Sequence, residues 1–237
     1  MRAIVLAAGK STRMGNNENK CIMPLDDEGH TILGRLLDQL KALSAWPVVV
    51  VGYQAERIME RYYTKASFVY NAEYENTGSL HSTWLASQVM GSGAGEMVMV
   101  VSGSNMVTDV ALKKLFYTMT DPSGVAMVYP YPHHLKGVRN VYHHVQRQLV
   151  FGEDFIRIVD ITPCDDGPPD CDYVGYATVS IVDSRQLMKI PDIPDWRTVN
   201  LGWAIKGCRA IEVGADATLD VNTPHDFELA KEMFGYG

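Results

Sequence analysis

The first fifteen residues, MRAIVLAAGKSTRMG, hold the stretch that decides the fold: an apolar run, Ala3 to Leu6, passes straight into Leu6-Ala7-Ala8-Gly9-Lys10-Ser11-Thr12-Arg13-Met14-Gly15. A short apolar run closed by small residues reads as a buried strand entering a loop. Ala7, Ala8 and Gly9 carry little or no side chain, so a ligand can approach the main chain closely and exposed N–H groups can cradle phosphate oxygens. Arg13 adds a fork of donors, and Lys20, seven residues on, a point charge. A glycine-containing surface turn is the plain alternative. The stretch has neither the full Walker A pattern nor the G-x-G-x-x-G spacing of a dinucleotide site. Its apolar run is also too short for a signal peptide, which leaves it as the first strand of the fold.

Outward from this loop, apolar runs alternate with amphipathic stretches. Val48–Val51 and Ser67–Tyr70 read as strands, as does Met97–Val101. Ile32, Leu33, Leu36, Leu37, Leu40 and Leu43 mark one face of a helix capped by Thr31, and further helices fit Gln54–Tyr63, Ser79–Met90 and Asp109–Thr118. This alternation predicts an α/β fold with a mostly parallel sheet covered on both faces. The loops after Leu6, Tyr70 and Val101 then share the rim where such sheets bind ligands. The second half changes character. Strands fit Gly124–Val128, Val141–Gln146, Phe155–Asp160 and Tyr173–Val182, Pro163–Asp172 reads as a turn-rich loop, and helices return over Pro194–Lys206 and Pro224–Phe234. One domain over 1–237 is expected, with an N-terminal half (1–122) that holds a nucleotide and a C-terminal half (123–237) that shapes a second site; a domain boundary near Pro122 is the alternative.

The chain has 237 residues, 28 of them acidic and 21 basic, for a net charge of −7. That balance argues against nonspecific nucleic-acid binding, which needs a basic face. No apolar run reaches the ~20 residues of a membrane span. Cys21, Cys164, Cys171 and Cys208 show no zinc-ligand spacing. A Cys164–Cys171 bridge is conceivable, but free thiols in a reducing cytoplasm fit better.

The loop LAAGKSTRMG, followed by Lys20 and Pro24, resembles the signature of nucleotidyltransferases that couple an NTP to a small phosphorylated acceptor. These include the sugar-phosphate and molybdenum-cofactor nucleotidyltransferases and the bacterial cytidylyltransferases. Asn71-Ala-Glu-Tyr74-Glu-Asn76-Thr77-Gly78-Ser79-Leu80-His81-Ser82 is similar to the N-x-x-Y-x-x-T-N-N-x-x-S segment of choline-phosphate cytidylyltransferase-type enzymes. Asp220-Val-Asn222-Thr-Pro224-His-Asp226 is similar to a terminal D-x-D-T-P-x-D motif. The resemblance implies a single-domain nucleotide-diphospho-sugar transferase (GT-A-like, Rossmann-like) fold and transfer of CMP from CTP, with release of pyrophosphate. It places Leu6, Ala7, Ala8, Gly9, Lys10 and Ser11 at the nucleotide, with Arg13 and Lys20 as catalytic cations. Thr77, Ser79 and Ser82 would lie along the base edge, although Thr77 or Ser79 equally suits a helix cap. In-line attack by an ionised acceptor phosphate on the α-phosphorus needs positioning and charge neutralisation more than a base. Mg²⁺ is the expected cofactor.

One departure stands out. Where the family places metal-binding Asp residues, this chain has Val100-Val101-Ser102-Gly103-Ser104-Asn105, and Asn222 holds the second acidic position of the last motif. A hydroxyl is a poor ligand for a hard cation, so Asp220 and Asn222 are the expected metal residues. Ser104 is a weak one, Ser102 and Ser104 line the nucleotide, and Asp109 is a further carboxylate that also suits a helix cap. For the acceptor, a phosphate or phosphonate, Tyr129, Lys136, Arg139, Tyr176 and Trp196 are the candidates; the first three lie in a stretch that also holds Tyr131, His133, His134, Tyr142, His143 and His144. Aromatic faces suit a quaternary ammonium and the cations suit a phosphate; ordinary cross-strand pairing explains the aromatics as well. Asn200 and Trp203 can close this pocket or pack a helix. A monomer or homodimer is expected. The rival readings are a nucleotide-binding protein without turnover and a glycosyltransferase of similar fold.

Overall fold

Period-2 alternation in the first strands sets the layers. The structure, a computed structural model, describes residues 1–15, 17–91, 95–118, 123–130, 140–150, 153–164, 173–199, 201–214 and 216–236. Its strands are β1 (Arg2–Ala7), β2 (Trp46–Val51), β3 (Ser67–Tyr70), β4 (Met97–Ser102), β5 (Asn105–Val107), β6 (Val125–Pro130), β7 (Asn140–Val150), β8 (Glu153–Cys164), β9 (Tyr173–Asp183), β10 (Arg209–Glu212) and β11 (Thr218–Asp220). The helices are α1 (Ile32–Ala42), α2 (Ala55–Tyr62), α3 (Ser79–Met90), α4 (Asp109–Tyr117), α5 (Ser184–Met188) and α6 (Pro224–Met233). Ala3, Val5, Val49 and Val51 enter one core with Leu36, Leu40, Ile58 and Leu112, whereas Ile4, Val48 and Val50 enter another with Leu80, Ala86 and Leu187. Both faces of the sheet are therefore covered, α1, α2 and α4 on one side and α3 and α5 on the other. Thr31 caps α1 as its sequence suggests, its hydroxyl accepting from Gly34 N at 3.0 Å.

The main sheet runs β3-β2-β1-β4-β9-β6-β10-β8-β7. Its pairings leave β8 and β9 alone running against the others. The sheet is thus mixed but mostly codirectional, and β9 from the second half is inserted between β4 and β6. Parallel register (Leu6↔Ser102, Ala7↔Val51, Val51↔Tyr70) brings the ends of β1 to β4 to one rim, where the loops after them meet. A small second sheet pairs β11 antiparallel to β5 and sets Asp220 opposite Asn105 at that rim.

The expected helix over Pro194–Lys206 is not formed. Residues 194–199 make successive turns, and only Leu201–Ile205 is helical, as a 3₁₀ segment. Asp195 adopts a left-handed φ of 53°, and the backbone is drawn to α3 instead: Gly78 N donates to Arg197 O at 2.6 Å and Leu201 N to Ser79 Oγ at 2.7 Å. Such bonds compete with the helical ladder. Most of the Pro163–Asp172 loop, Cys171 included, lies outside the described residues, as does the Cys164 side chain; Cys21 and Cys208 are buried free thiols. Among the described residues no helix is long and apolar enough to cross a membrane.

Candidate functional site

The loop after β1 is held from three sides. Leu6 O accepts from Gly103 N at 2.8 Å, Ala7 O from Asn19 Nδ2 at 3.2 Å and Ala8 O from Tyr53 N at 3.0 Å. Asn19 is fully buried; its Nδ2 also donates to Tyr53 O and its Oδ1 accepts from Cys21 N. Pattern reading missed Asn19, although an Asn just ahead of a short helical turn is a capping signal. Ser11, at φ 56°, accepts from Lys20 N through Oγ at 3.0 Å, which ties the two ends of the loop together. A Cβ at Gly9 would meet no protein atom within 4 Å, so the bare backbone there is not required by the protein's own packing. Lys10, half exposed, pairs with Glu75 at 2.7 Å across the mouth, which raises the lysine pKa and lowers that of the carboxyl. Beneath the loop, burial pushes the Cys21 thiol up to about 11, so it stays protonated and unreactive.

Arg13 and Lys20 converge on one atom. Asn222 Oδ1 accepts from Arg13 Nη2 at 2.7 Å and from Lys20 Nζ at 2.9 Å, and Lys20 also donates to Val221 O. Asn222 Nδ2 donates to Asp220 Oδ2 at 3.0 Å, and Asp220 Oδ1 accepts from Ser104 Oγ at 2.9 Å. Ser104 Oγ lies 2.9 Å from Ser102 Oγ. Arg13, Lys20, Asn222, Asp220, Ser104 and Ser102 thus form one continuous chain of hydrogen bonds, drawn from both ends of the sequence. Local structure fixes Asn222: Asp226 accepts from Asn222 N and Thr223 N while Thr223 Oγ1 accepts from Asp226 N, a capping box that starts α6. Asp109 does not join, nor does it cap α4. Thr108 is the cap, and Asp109 accepts from Gln39 Nε2 of α1 at 2.6 Å.

On the facing side, Asn71 is buried and ties Thr77 and Ser82 together, donating to their hydroxyls at 3.0 and 3.1 Å. Neither Thr77 nor Ser79 caps α3. Thr77 Oγ1 donates to Glu73 O, Ser79 Oγ accepts from Leu201 N, and Gly78 occupies the cap position. Gly78 is demanded by the crossing strap, since a Cβ would lie 2.3 Å from Val199 O. His81, also missed in the sequence, is buried between Trp196 (ring centroids 5.3 Å apart) and Trp84 (6.0 Å), and its Nδ1 has no hydrogen-bond partner. Burial first, then the charge of Arg197, lowers its pKa. Below about pH 6.5 the unfolded chain therefore takes up a proton that folded His81 resists, and stability falls as pH falls. Chemical denaturation between pH 7 and 5.5 is expected to show a stability slope that His81→Phe flattens; an unchanged slope would refute this.

The acceptor-side candidates are dispersed. Tyr129 is half-buried, and burial first, then the charge of Asp220, raises its pKa. Trp196 packs edge-on against Trp84 and tilted against His81, both on α3. Tyr176 pairs with Val128 on β9, but its side chain lies outside the described residues, as do those of Tyr142, His143, His144 and Trp203. Tyr131, His133, His134, Lys136, Arg139 and Asn200 lie wholly outside them.

The donor set can be tested against a divalent ion. Both oxygens of Asp220 already accept hydrogen bonds from neutral neighbours, and the amide oxygen of Asn222 carries two cationic donors. Hard cations seek several anionic or unencumbered oxygens. These residues do not fit an ion held by the protein alone. Among the described residues a second group of possible ligands, Asp26, Glu28 and His30, is exposed in the turn before α1, where Asp26 bonds to His30 N and Nδ1.

Comparisons with known proteins identify the family and the fold. Residues 3–146 match the family model of the MobA-like NTP transferase domain. The bifunctional protein GlmU of Exiguobacterium sibiricum is 32% identical over 114 residues, which are 48% of this chain and 24% of that protein, so the match spans about a quarter of the relative. A UDP-glucose pyrophosphorylase complexed with UDP-glucose superposes with a TM-score of 0.76 at 13% identity, over 99% of this chain and 98% of that one. The CTP:phosphocholine cytidylyltransferase of Streptococcus pneumoniae (LicC) gives 0.65 at 19% identity, over 98% of both chains. At these identities the structural likeness establishes the fold.

Proposed function

Because this chain belongs to the MobA-like NTP transferase domain family, we propose that it is a nucleotidyltransferase that moves CMP from CTP to a small phosphate or phosphonate acceptor. The observation that carries this reading is the convergence of Arg13 and Lys20 on Asn222 beside the loop after β1. A fork of guanidinium donors and an ammonium, held side by side, suit a triphosphate. In this reading residues 1–122 hold the nucleotide along Leu6 to Ser11, with Thr77, Ser79 and Ser82 toward the base and Ser102 and Ser104 below it. Residues 123–237 complete the same domain with Tyr129, Lys136, Arg139, Tyr176 and Trp196 toward the acceptor.

An acceptor oxygen attacks the α-phosphorus in line, the bond to the bridging oxygen breaks, and pyrophosphate leaves. Arg13 and Lys20 offset the charge that gathers on the α-phosphate and leaving group, and no covalent intermediate is needed. Mg²⁺ belongs to this reading as a companion of the triphosphate, with Asp220 the carboxylate joined to the Asn222 side chain. Cytosine is favoured by the Asn71–Ser82 segment and by the likeness to a CTP:phosphocholine cytidylyltransferase, the cytoplasm by Cys21 and Cys208 standing as buried thiols rather than disulfides. A monomer or homodimer belongs to this reading.

Pyrophosphate release should be measured for CTP, UTP, GTP, ATP and dTTP against a choline phosphate, a polyol phosphate, a sugar 1-phosphate and an alkyl phosphonate. Release with CTP and one acceptor, at least about tenfold above other bases, is the expected result. CTP binding with no release for any acceptor would instead make the chain a nucleotide-binding protein, the reading that Ser104 favours. Tighter binding of a UDP-sugar than of CTP would make it a glycosyltransferase.

A further inference from the structure

The two neutral side chains that stand where carboxylates were expected do the same thing: each donates a hydrogen bond to Asp220. Ser104 fills one side at 2.9 Å and Asn222 the other at 3.0 Å. Two facing carboxylates at 220 and 222 would repel and call for a cation between them. Here the amide nitrogen of Asn222 stands in that space. The same amide is aligned at its other end, because its oxygen accepts from Arg13 and Lys20. Turned over, it would aim N–H groups at two cations and an oxygen at a carboxylate, so its neighbours allow one orientation. Any ion bound at Asp220 would displace these donors and sit close to the Lys20 ammonium.

We infer that Asn222 is a positioning residue that holds Arg13 and Lys20 as a ready-made pair of positive charges, and that this pair receives the triphosphate with no divalent ion previously bound to the protein. The inference rests on the nucleotide reading of the site. It makes Asn222 and Ser104 substitutes for a metal centre rather than weak parts of one. Asn222→Asp should reverse the arrangement: the carboxylate neutralises the cation pair, repels phosphate and, with Asp220, creates a seat for a divalent ion.

The test uses the full chain, stripped of metal. Mn²⁺ is titrated into free protein and followed by calorimetry and electron paramagnetic resonance, and CTP binding is measured in EDTA and in Mg²⁺. Wild type should bind no Mn²⁺ more tightly than about 1 mM, and its CTP affinity in EDTA should stay within about threefold of that in Mg²⁺. Asn222→Asp should gain at least about tenfold in Mn²⁺ affinity and lose about tenfold in CTP affinity in EDTA. Ser104→Asp approaches Asp220 from the other side and should also gain Mn²⁺ affinity, which keeps the test informative if one variant folds poorly. A micromolar Mn²⁺ site in free wild type, or loss of CTP binding in EDTA alone, would overturn the inference and leave the nucleotide reading standing. Absence of CTP binding under both conditions would overturn the nucleotide reading itself.

Discussion

Arg13→Ala is expected to lower kcat/KM for the nucleotide by about 10²–10³-fold with little change in melting temperature. Arg13 is exposed and contributes to no core, and its one side-chain hydrogen bond among the described residues goes to Asn222. Its loss therefore acts on the ligand rather than on the fold. Lys20→Met should fall in the same range. The double variant should cost less than the product of the two, because both cations act on the same oxygen and on the same phosphates. Steady-state kinetics with pyrophosphate detection, alongside thermal melts, checks all three. An Arg13→Ala enzyme within about threefold of wild type would remove Arg13 from the reaction.

Asn19→Ala is expected to destabilise the fold by about 3 kcal/mol. The side chain is 0% exposed and serves three main-chain groups, the carbonyls of Ala7 and Tyr53 and the N–H of Cys21. Alanine removes the partner of all three, and the bonds to Ala7 O and Cys21 N are buried. For a chain of this size the loss corresponds to a melting temperature lower by about 6–12 °C. Nucleotide affinity should fall as well, since Ala7 belongs to the loop proposed to hold the ligand. Asn19→Asp keeps the acceptor for Cys21 N but turns an oxygen toward the carbonyls of Ala7 and Tyr53 in a buried site, so it should cost at least as much as alanine. Urea unfolding of the three proteins decides the order; a loss below about 1 kcal/mol for alanine would show that water replaces the side chain.

How much of this was legible in the sequence follows from which forces are local. Alternating Ala3–Ala8 and the valines of β2 announce strands buried on both faces, and the Thr31 cap and the leucines of α1 announce its start and its buried side. These features are carried by residues close together in the chain, and the structure follows them. The segment 194–199 departs from the expected helix because Arg197 O and, beyond it, Leu201 N bond to Gly78 and Ser79, more than a hundred residues away, and no periodicity encodes such partners. The site shows the same division. Motifs singled out Arg13, Lys20, Ser104, Asp220 and Asn222, yet their hydrogen bonds depend on the pairing of β11 with β5, two three-residue strands too short to carry a pattern. Thr77 and Ser79 both suit a helix cap by residue type, but Gly78 takes the cap position, because only a residue without Cβ leaves room for Val199 O.

The central claim is transfer of the α-phosphoryl unit of an NTP, and isotope placement tests it most directly. CTP labelled at the α-phosphorus, and separately at the γ-phosphorus, is incubated with the acceptor that supports pyrophosphate release. The account predicts that α-label moves into the acceptor product, that γ-label appears only in pyrophosphate, and that Arg13→Ala slows both together. γ-Label in the acceptor, or α-label recovered as free CMP without a transferred product, would contradict it.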